Sequence, residues 1–128
     1  RVGALICYED LLSGHVRSTV AAGANLLVAI TNDAWFGESP ALHEHDTLAL
    51  WRAVETRRYL VRATNTGLSS VTDPLGRSVA TLPTQTATAA VVRVHLLEGT
   101  TPYQRFGDAF GYLTLALAIS LLVYCRRL

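Results

Sequence analysis

The chain of 128 residues contains no lysine; all eleven of its basic residues are arginine. Any reaction that needs a lysine ammonium must therefore draw it from outside these residues. Methionine is also absent, even at the start, and a chain that opens in mid-strand without one is expected to belong to a longer polypeptide. Cysteine is scarce: Cys7 and Cys125 stand at opposite ends, in segments of different character. That excludes a disulfide framework and leaves two free thiols. A charge excess is lacking as well, with eleven basic against ten acidic residues and a net charge of +1. No overall field points to nucleic acid or to a strongly acidic substrate, so partners have to be argued from sites. Internal repeats and low-complexity linkers are absent too.

What is present alternates strands and helices. Val2 to Ile6 is a continuous apolar run, the pattern of a strand buried on both faces. Ser13 is placed to cap a helix through about Ala22, with Gly23 to stop it. Asn25 to Thr31, NLLVAIT, reads as a second buried strand. The turn-rich Asn32 to Pro40 leads to a helix over Leu42 to Arg58, in which Thr47, Leu50, Trp51 and Val54 share a face. Three short strands follow, Leu60 to Ala63, Leu68 to Val71 and Val79 to Leu82, separated by Asn65-Thr66-Gly67 and Asp73-Pro74-Leu75-Gly76, both with turn chemistry. Ala89 to Val94 is expected to be a last strand. The order predicts an α/β layered sheet with helices on at least one face.

The tail differs from everything before it. No charge interrupts the seventeen positions from Ala109 to Cys125, and aromatic residues gather toward the two ends of the run: Tyr103, Phe106, Phe110 and Tyr112 on one side, Tyr124 on the other. As a helix the run spans about 25 Å, the short end of a membrane crossing. The chain then ends in Arg126-Arg127-Leu128. Basic residues prefer the cytoplasmic side, so the expectation is a transmembrane helix over residues 106–128, its basic end cytoplasmic and residues 1–105 outside the cytoplasm. The alternative is a buried core helix.

Cys7 ends the first strand and is followed by Tyr8, Glu9 and Asp10. A thiol at the carboxyl end of a buried strand lies where open α/β sheets place ligands, and such surroundings stabilise a thiolate. Equally, free cysteine is often a small buried hydrophobe, and Glu9 and Asp10 fit an ordinary acidic first turn. The second strand repeats the layout, running into Asn32-Asp33-Ala34-Trp35-Phe36-Gly37. Two strands ending in polar groups at one edge make a pocket floor, with Trp35 and Phe36 as its apolar wall; a turn capped by Asn32 and Asp33 is the plainer reading.

Several motifs occur together and in order: ICYE at Ile6 to Glu9, TNDAWFG at Thr31 to Gly37, HEH at His43 to His45, RAVETRR at Arg52 to Arg58, RATNTG at Arg62 to Gly67 and TPYQRFGD at Thr101 to Asp108. With the apolar tail, this set closely resembles the carboxyl-terminal part of the bacterial apolipoprotein N-acyltransferases, membrane-anchored members of the nitrilase superfamily. Soluble nitrilases share the strand-ending cysteine and the RA-x-E helix but not the tail. The resemblance implies part of a nitrilase-like αββα sandwich over residues 1–105 and a Glu-Lys-Cys triad. In that family the cysteine takes an acyl chain from a phospholipid ester as a thioester and passes it to the α-amine of the lipid-bearing amino-terminal cysteine of an apolipoprotein. Cys7 matches the nucleophile; Tyr8 and Glu9 match its supporting residues, with Glu9 expected to order the loop or steer the amine. Backbone N–H groups near Cys7 are candidates for part of an oxyanion hole. The resemblance further implies a monomer without cofactor, in the bacterial inner (cytoplasmic) membrane, with several amino-terminal membrane helices in the parent chain and its catalytic domain on the periplasmic side. The triad glutamate and lysine would precede residue 1, so these residues alone are expected to be inactive.

The remaining constellations have plainer readings. His43-Glu44-His45-Asp46 suggests a metal site, but residues two apart on a helix do not face one another, so no metal is expected. The resemblance implies instead that His43 and His45 belong to the rim where lipid or acceptor approaches, beside Asn32, Trp35 and Phe36. Arg52 and Glu55 are expected to pair within the helix or to orient it against the sheet, and Arg57, Arg58 and Arg62 to be solvated or pack on the sheet, with contact to headgroups the alternative. Two other functions remain open: a nitrilase-type hydrolase of small C–N bonds, and a non-catalytic membrane-tethered module.

Overall fold

A computed structural model describes residues 1–126. Strand β1 (Val2–Ile6) passes through a 3-10 turn (Cys7–Leu11) into helix α1 (Ser13–Ala21). Strand β2 (Leu26–Thr31), a short 3-10 turn (Ala34–Phe36) and helix α2 (Ala41–Thr56) come next. Strands β3 (Leu60–Thr64), β4 (Ser70–Thr72) and β5 (Ser78–Thr81) complete one sheet in chain order, and helices α3 (Pro102–Phe106) and α4 (Ala109–Cys125) close the described chain. Strands β1, β2 and β3 are parallel, in register Ile6↔Ile30 and Leu27↔Leu60, while β4 and β5 return antiparallel. The parallel strands thus bring Cys7, Asn32 and Asn65 out at one edge, as helical crossovers require.

Strands β1 and β2 are covered on one face, whereas β4 is buried on both. Leu5, Leu27, Ala29 and Leu60 form the core with Val16 and Val20 of α1 and Ala49 and Ala53 of α2. Burying each of the leucines contributes roughly 2 kcal/mol. At Gly3 the approach of α1 is close enough that a Cβ would sit 2.6 Å from Thr19 Cγ2. On the opposite face Val2, Ile6 and Ile30 are each more than half exposed. The expectation of strands buried on both faces therefore fails for these residues, and their apolar runs serve one covered and one open surface.

Other expectations need correction. Ser13 is the first helical residue and does not cap; the N-cap position belongs to Leu12, with no side-chain bond. In α2 the buried positions are Leu42, His45, Ala49, Arg52, Ala53 and Thr56, whereas Thr47 and Trp51 are exposed. Residues 89–94 form no strand. The segment that follows them is pinned by Leu97 N donating to Asn25 O at 3.1 Å and by Arg58 Nη2 donating to Gly99 O at 2.9 Å. Thr101 then starts α3 as a capping box with Gln104, while its hydroxyl donates to Glu55 O at 2.6 Å.

The apolar tail is helical, but α4 has 17 residues, and no helix among the described residues is long and apolar enough to cross a membrane. Nor is α4 a core helix, since every residue from Phe110 to Cys125 is exposed. The basic end expected to be cytoplasmic includes Arg127 and Leu128, which lie outside the described residues.

Candidate active site

The site is built from the carboxyl ends of the three parallel strands. Cys7 follows β1 directly and has φ +53°, in the left-handed region that residues with a Cβ seldom occupy. Such a backbone costs about 1 to 3 kcal/mol and persists where its surroundings enforce it. Here Glu9 supplies part of the enforcement: its Oε2 accepts from Ile6 N at 2.7 Å, folding the turn back on the strand end. Glu9 therefore occupies a loop-ordering position. The Cys7 residue is half-buried and its thiol free, as is that of Cys125.

Tyr8 and Glu9 flank the nucleophile candidate on its helix side. Tyr8 is half exposed and stacks on His45, with ring centroids 5.3 Å apart and 18° between planes. His45 is itself only 4% exposed, so it does not belong to an open rim. The reason lies in its neighbours: Nδ1 is 3.0 Å from Asp33 Oδ1 and Nε2 is 3.0 Å from Asp10 Oδ1. His43, one turn face away, is exposed and lines a shallow cavity with Glu38, Pro40, Leu42 and Gln85.

The second loop separates its two aromatic residues. Trp35 is 82% exposed and forms no closed wall, whereas Phe36 turns its edge toward His45 at a centroid distance of 6.0 Å. Asn32 is exposed; its Oδ1 accepts from Ala34 N at 3.1 Å and from Asn65 Nδ2 at 2.7 Å. Asn65 in turn accepts from Asp33 N and from Thr66 N. Asn65 thus ties the end of β3 to the loop after β2, a role that a reading of Asn65-Thr66-Gly67 as a plain turn misses.

Beneath these loops lies a buried ionic cluster that was not anticipated from sequence. Arg62, on the covered face of β3, donates from Nε to Asp10 Oδ2 at 2.9 Å and from Nη1 to Asp46 Oδ1 at 3.1 Å. Ser70 Oγ also donates to Asp46 Oδ1, at 2.6 Å. Arg62 Nη2 and Asp33 Oδ2 are 3.9 Å apart and have no hydrogen-bond partner. Buried charges persist only when paired, and here Arg62 faces three carboxylates, two of which also meet His45. Arg62 is therefore a sheet-packing residue and is closed off from any headgroup. The signal for it was an arginine within the apolar LVRAT strand, which has to find partners from other elements.

Farther along α2, Arg52 donates to Glu55 Oε1 at 2.7 Å, the intrahelical pair expected, and also to Leu11 O at 3.0 Å. Burial raises the Glu55 carboxyl above its ordinary value, Arg52 opposing and Asp108 adding to the rise. Burial likewise lowers Arg58, which donates to four backbone carbonyls, those of Ala24, Thr56, Arg57 and Gly99. Among the described residues no group of three or more His, Cys, Asp or Glu side chains is arranged to hold a metal ion.

A half-buried thiol on a strained turn, with a carboxylate ordering that turn and two polar loops beside it, suits a nucleophile attacking a carbonyl carbon. The sequence model of the carbon-nitrogen hydrolase family matches residues 1–101. Apolipoprotein N-acyltransferase of Gloeobacter violaceus is 50% identical over 118 residues, covering 92% of this chain and 22% of that protein. The protein of the same name from Geobacter metallireducens is 40% identical over 129 residues, covering 99% and 25%. The chain thus spans about a quarter of the length of these curated relatives. Among solved structures, an amidase from Nesterenkonia sp. AN1, with the acetamide moiety of fluoroacetamide added covalently at its active site cysteine, is similar with TM-score 0.56 and 26% identity. That match covers 65% of this chain and 34% of the amidase. A carbon-nitrogen hydrolase from Helicobacter pylori shares the fold, with TM-score 0.58 at 15% identity over 64% and 36%.

Proposed function

The chain belongs to the carbon-nitrogen hydrolase family, and from that premise we propose that it carries the nucleophile of an apolipoprotein N-acyltransferase. The observation that carries the reading is Cys7, held at φ +53° at the carboxyl end of β1, in a chain half identical to a protein of that name. The Cys7 sulfur attacks the ester carbonyl of a phospholipid and the tetrahedral intermediate collapses. The acyl group stays on sulfur as a thioester, and the lysophospholipid alcohol leaves with the proton. The α-amine of the lipid-bearing amino-terminal cysteine of an apolipoprotein then attacks the thioester. An amide forms, the C–S bond breaks, and the thiol is regenerated. Covalent storage divides one difficult transfer into two easier steps.

Glu9 orders the turn through Ile6 N, and Tyr8 stands beside it over His45. Asn32, Trp35 and Phe36 form the loop facing that turn, and exposed Trp35 and His43 are the positions open to donor or acceptor. With no lysine in the chain, the lysine of the triad comes from residues outside it, as does the base glutamate if the family's order holds, and these 128 residues alone are inactive. Helix α4, apolar and exposed along its length, buries in lipid, the phase that holds the donor. The protein then works as a monomer at the bacterial cytoplasmic membrane, with the thiol on the periplasmic side.

A second reading is amide hydrolysis, favoured by the likeness to the Nesterenkonia amidase. The test uses the full-length protein that carries this chain, with phospholipid and a diacylated lipopeptide, and separately with small aliphatic amides. Acylated lipopeptide from the parent but not from C7A is the expected result. Ammonia release from small amides without lipopeptide acylation would replace the proposal with the hydrolase.

A further inference from the structure

The pairing of β1 with β2 ends at Ile6↔Ile30. Beyond it, no backbone hydrogen bond among the described residues joins the Cys7–Leu11 turn to the loop at residues 32–36. Side chains make the link. His45 stands in α2 with its two ring nitrogens each 3.0 Å from a carboxylate oxygen, one of Asp33 and one of Asp10. Asp10 belongs to the turn that begins at Cys7, and Asp33 to the loop that carries Trp35 and Phe36. Ionised carboxylates only accept, so both contacts are hydrogen bonds when each ring nitrogen carries a proton or when one of the carboxyls does.

The bridge is held rigidly from its sides. Arg62 Nε occupies the other oxygen of Asp10 at 2.9 Å, and Thr31 Oγ1 lies 3.4 Å from the Asp33 oxygen that His45 meets. Tyr8 stacks on one face of the imidazole and Phe36 meets it edge-on. Asp10, Asp33 and His45 are all at least 96% buried, so water does not compete for these bonds.

We propose that His45 is a positioning residue for the acyl transfer: by bonding Asp10 and Asp33 together it fixes the Cys7 turn against the loop of Trp35 and Phe36. The inference rests on the acyl-transfer reading of the site. A purely structural histidine would change stability and leave the acylation rate of the folded protein alone. A positioning histidine changes that rate, because displacing a reacting group by about 1 Å costs on the order of 100-fold.

The experiment measures single-turnover formation of the acyl-enzyme from phospholipid, and KM for the lipopeptide acceptor, in the full-length protein. H45F keeps an aromatic ring in place and removes both ring nitrogens. It is expected to form acyl-enzyme about 100-fold more slowly than the parent, with acceptor KM within about threefold. D33N retains a side chain able to bond the imidazole and D33L does not, so D33N is expected to exceed D33L by about tenfold or more. Acylation within about threefold of the parent in folded H45F would overturn the proposal. Should H45F not accumulate in folded form, equal rates for D33N and D33L would overturn it. C7A separates the two claims: acyl-enzyme formed by C7A defeats the acyl-transfer reading itself, whereas its loss in C7A alongside unchanged rates in H45F and D33L defeats only the role of His45.

Discussion

Arg62 Nε donates to Asp10 Oδ2 at 2.9 Å, with neither side chain more than 1% exposed. The same guanidinium reaches Asp46 and faces Asp33, so it is the main neutralising charge under the loops of the site. Removing one partner from a buried ion pair strands the others. R62M is expected to lose about 3 to 5 kcal/mol of stability, measured by denaturant unfolding of the full-length protein, and a loss near zero would show the cluster to be solvated.

Gly67 packs against Asp33 so closely that an added Cβ would collide with the carboxylate. G67A is therefore expected to cost about 1 to 3 kcal/mol and to slow acylation by moving Asp33 off His45. Gly14, in α1, has open space around it, and G14A is expected to be neutral or to stabilise by up to about 1 kcal/mol. Equal thermal shifts for the two variants would contradict this account of Gly67.

Glu55 gives a pH dependence of known sign. Its carboxyl is raised by burial, so folding favours the protonated form. That contribution is complete below the unfolded-state value and is lost as pH rises through the folded-state value. E55Q, which cannot ionise, is expected to gain stability relative to the parent as pH goes from about 4 to 7. Thermal melts across that range check the slope; a difference that shrinks with rising pH would contradict it.

Helix α4 is expected to lie in lipid. A polarity-sensitive fluorophore on Leu117→Cys, in full-length protein lacking Cys7 and Cys125 and held in phospholipid vesicles, should emit as in hydrocarbon. Emission as in water would contradict the lipid contact proposed for this helix.

Much of the frame was legible in the sequence. The apolar runs at Val2 to Ile6 and Asn25 to Thr31 fall in β1 and β2, the helix that follows each is in place, and Arg52 pairs with Glu55 as spacing implies. The buried cluster was not legible. Asp10, Asp33 and His45 come from three separate segments, and each taken singly fits a first turn, a capped turn and a helix surface. Nor does the shared face of Thr47, Leu50, Trp51 and Val54 mark the covered side of α2, where His45 and Arg52 lie beside Ala49 and Ala53. Polar residues with buried partners are invisible to a pattern built on apolarity. Residues 89–94 carry strand-like composition, yet the segment that follows them is held outside the sheet, by Arg58 donating to Gly99 O and by Leu97 N donating to Asn25 O.

The central claim is that Cys7 carries the acyl group. Full-length protein incubated with phospholipid and no acceptor, then digested and analysed by mass spectrometry, should show one acyl chain as a hydroxylamine-labile thioester on the peptide containing Cys7. That adduct should disappear on addition of lipopeptide and be absent from C7A. An acyl group found on another residue, or lipopeptide acylation that persists in C7A, would contradict the account.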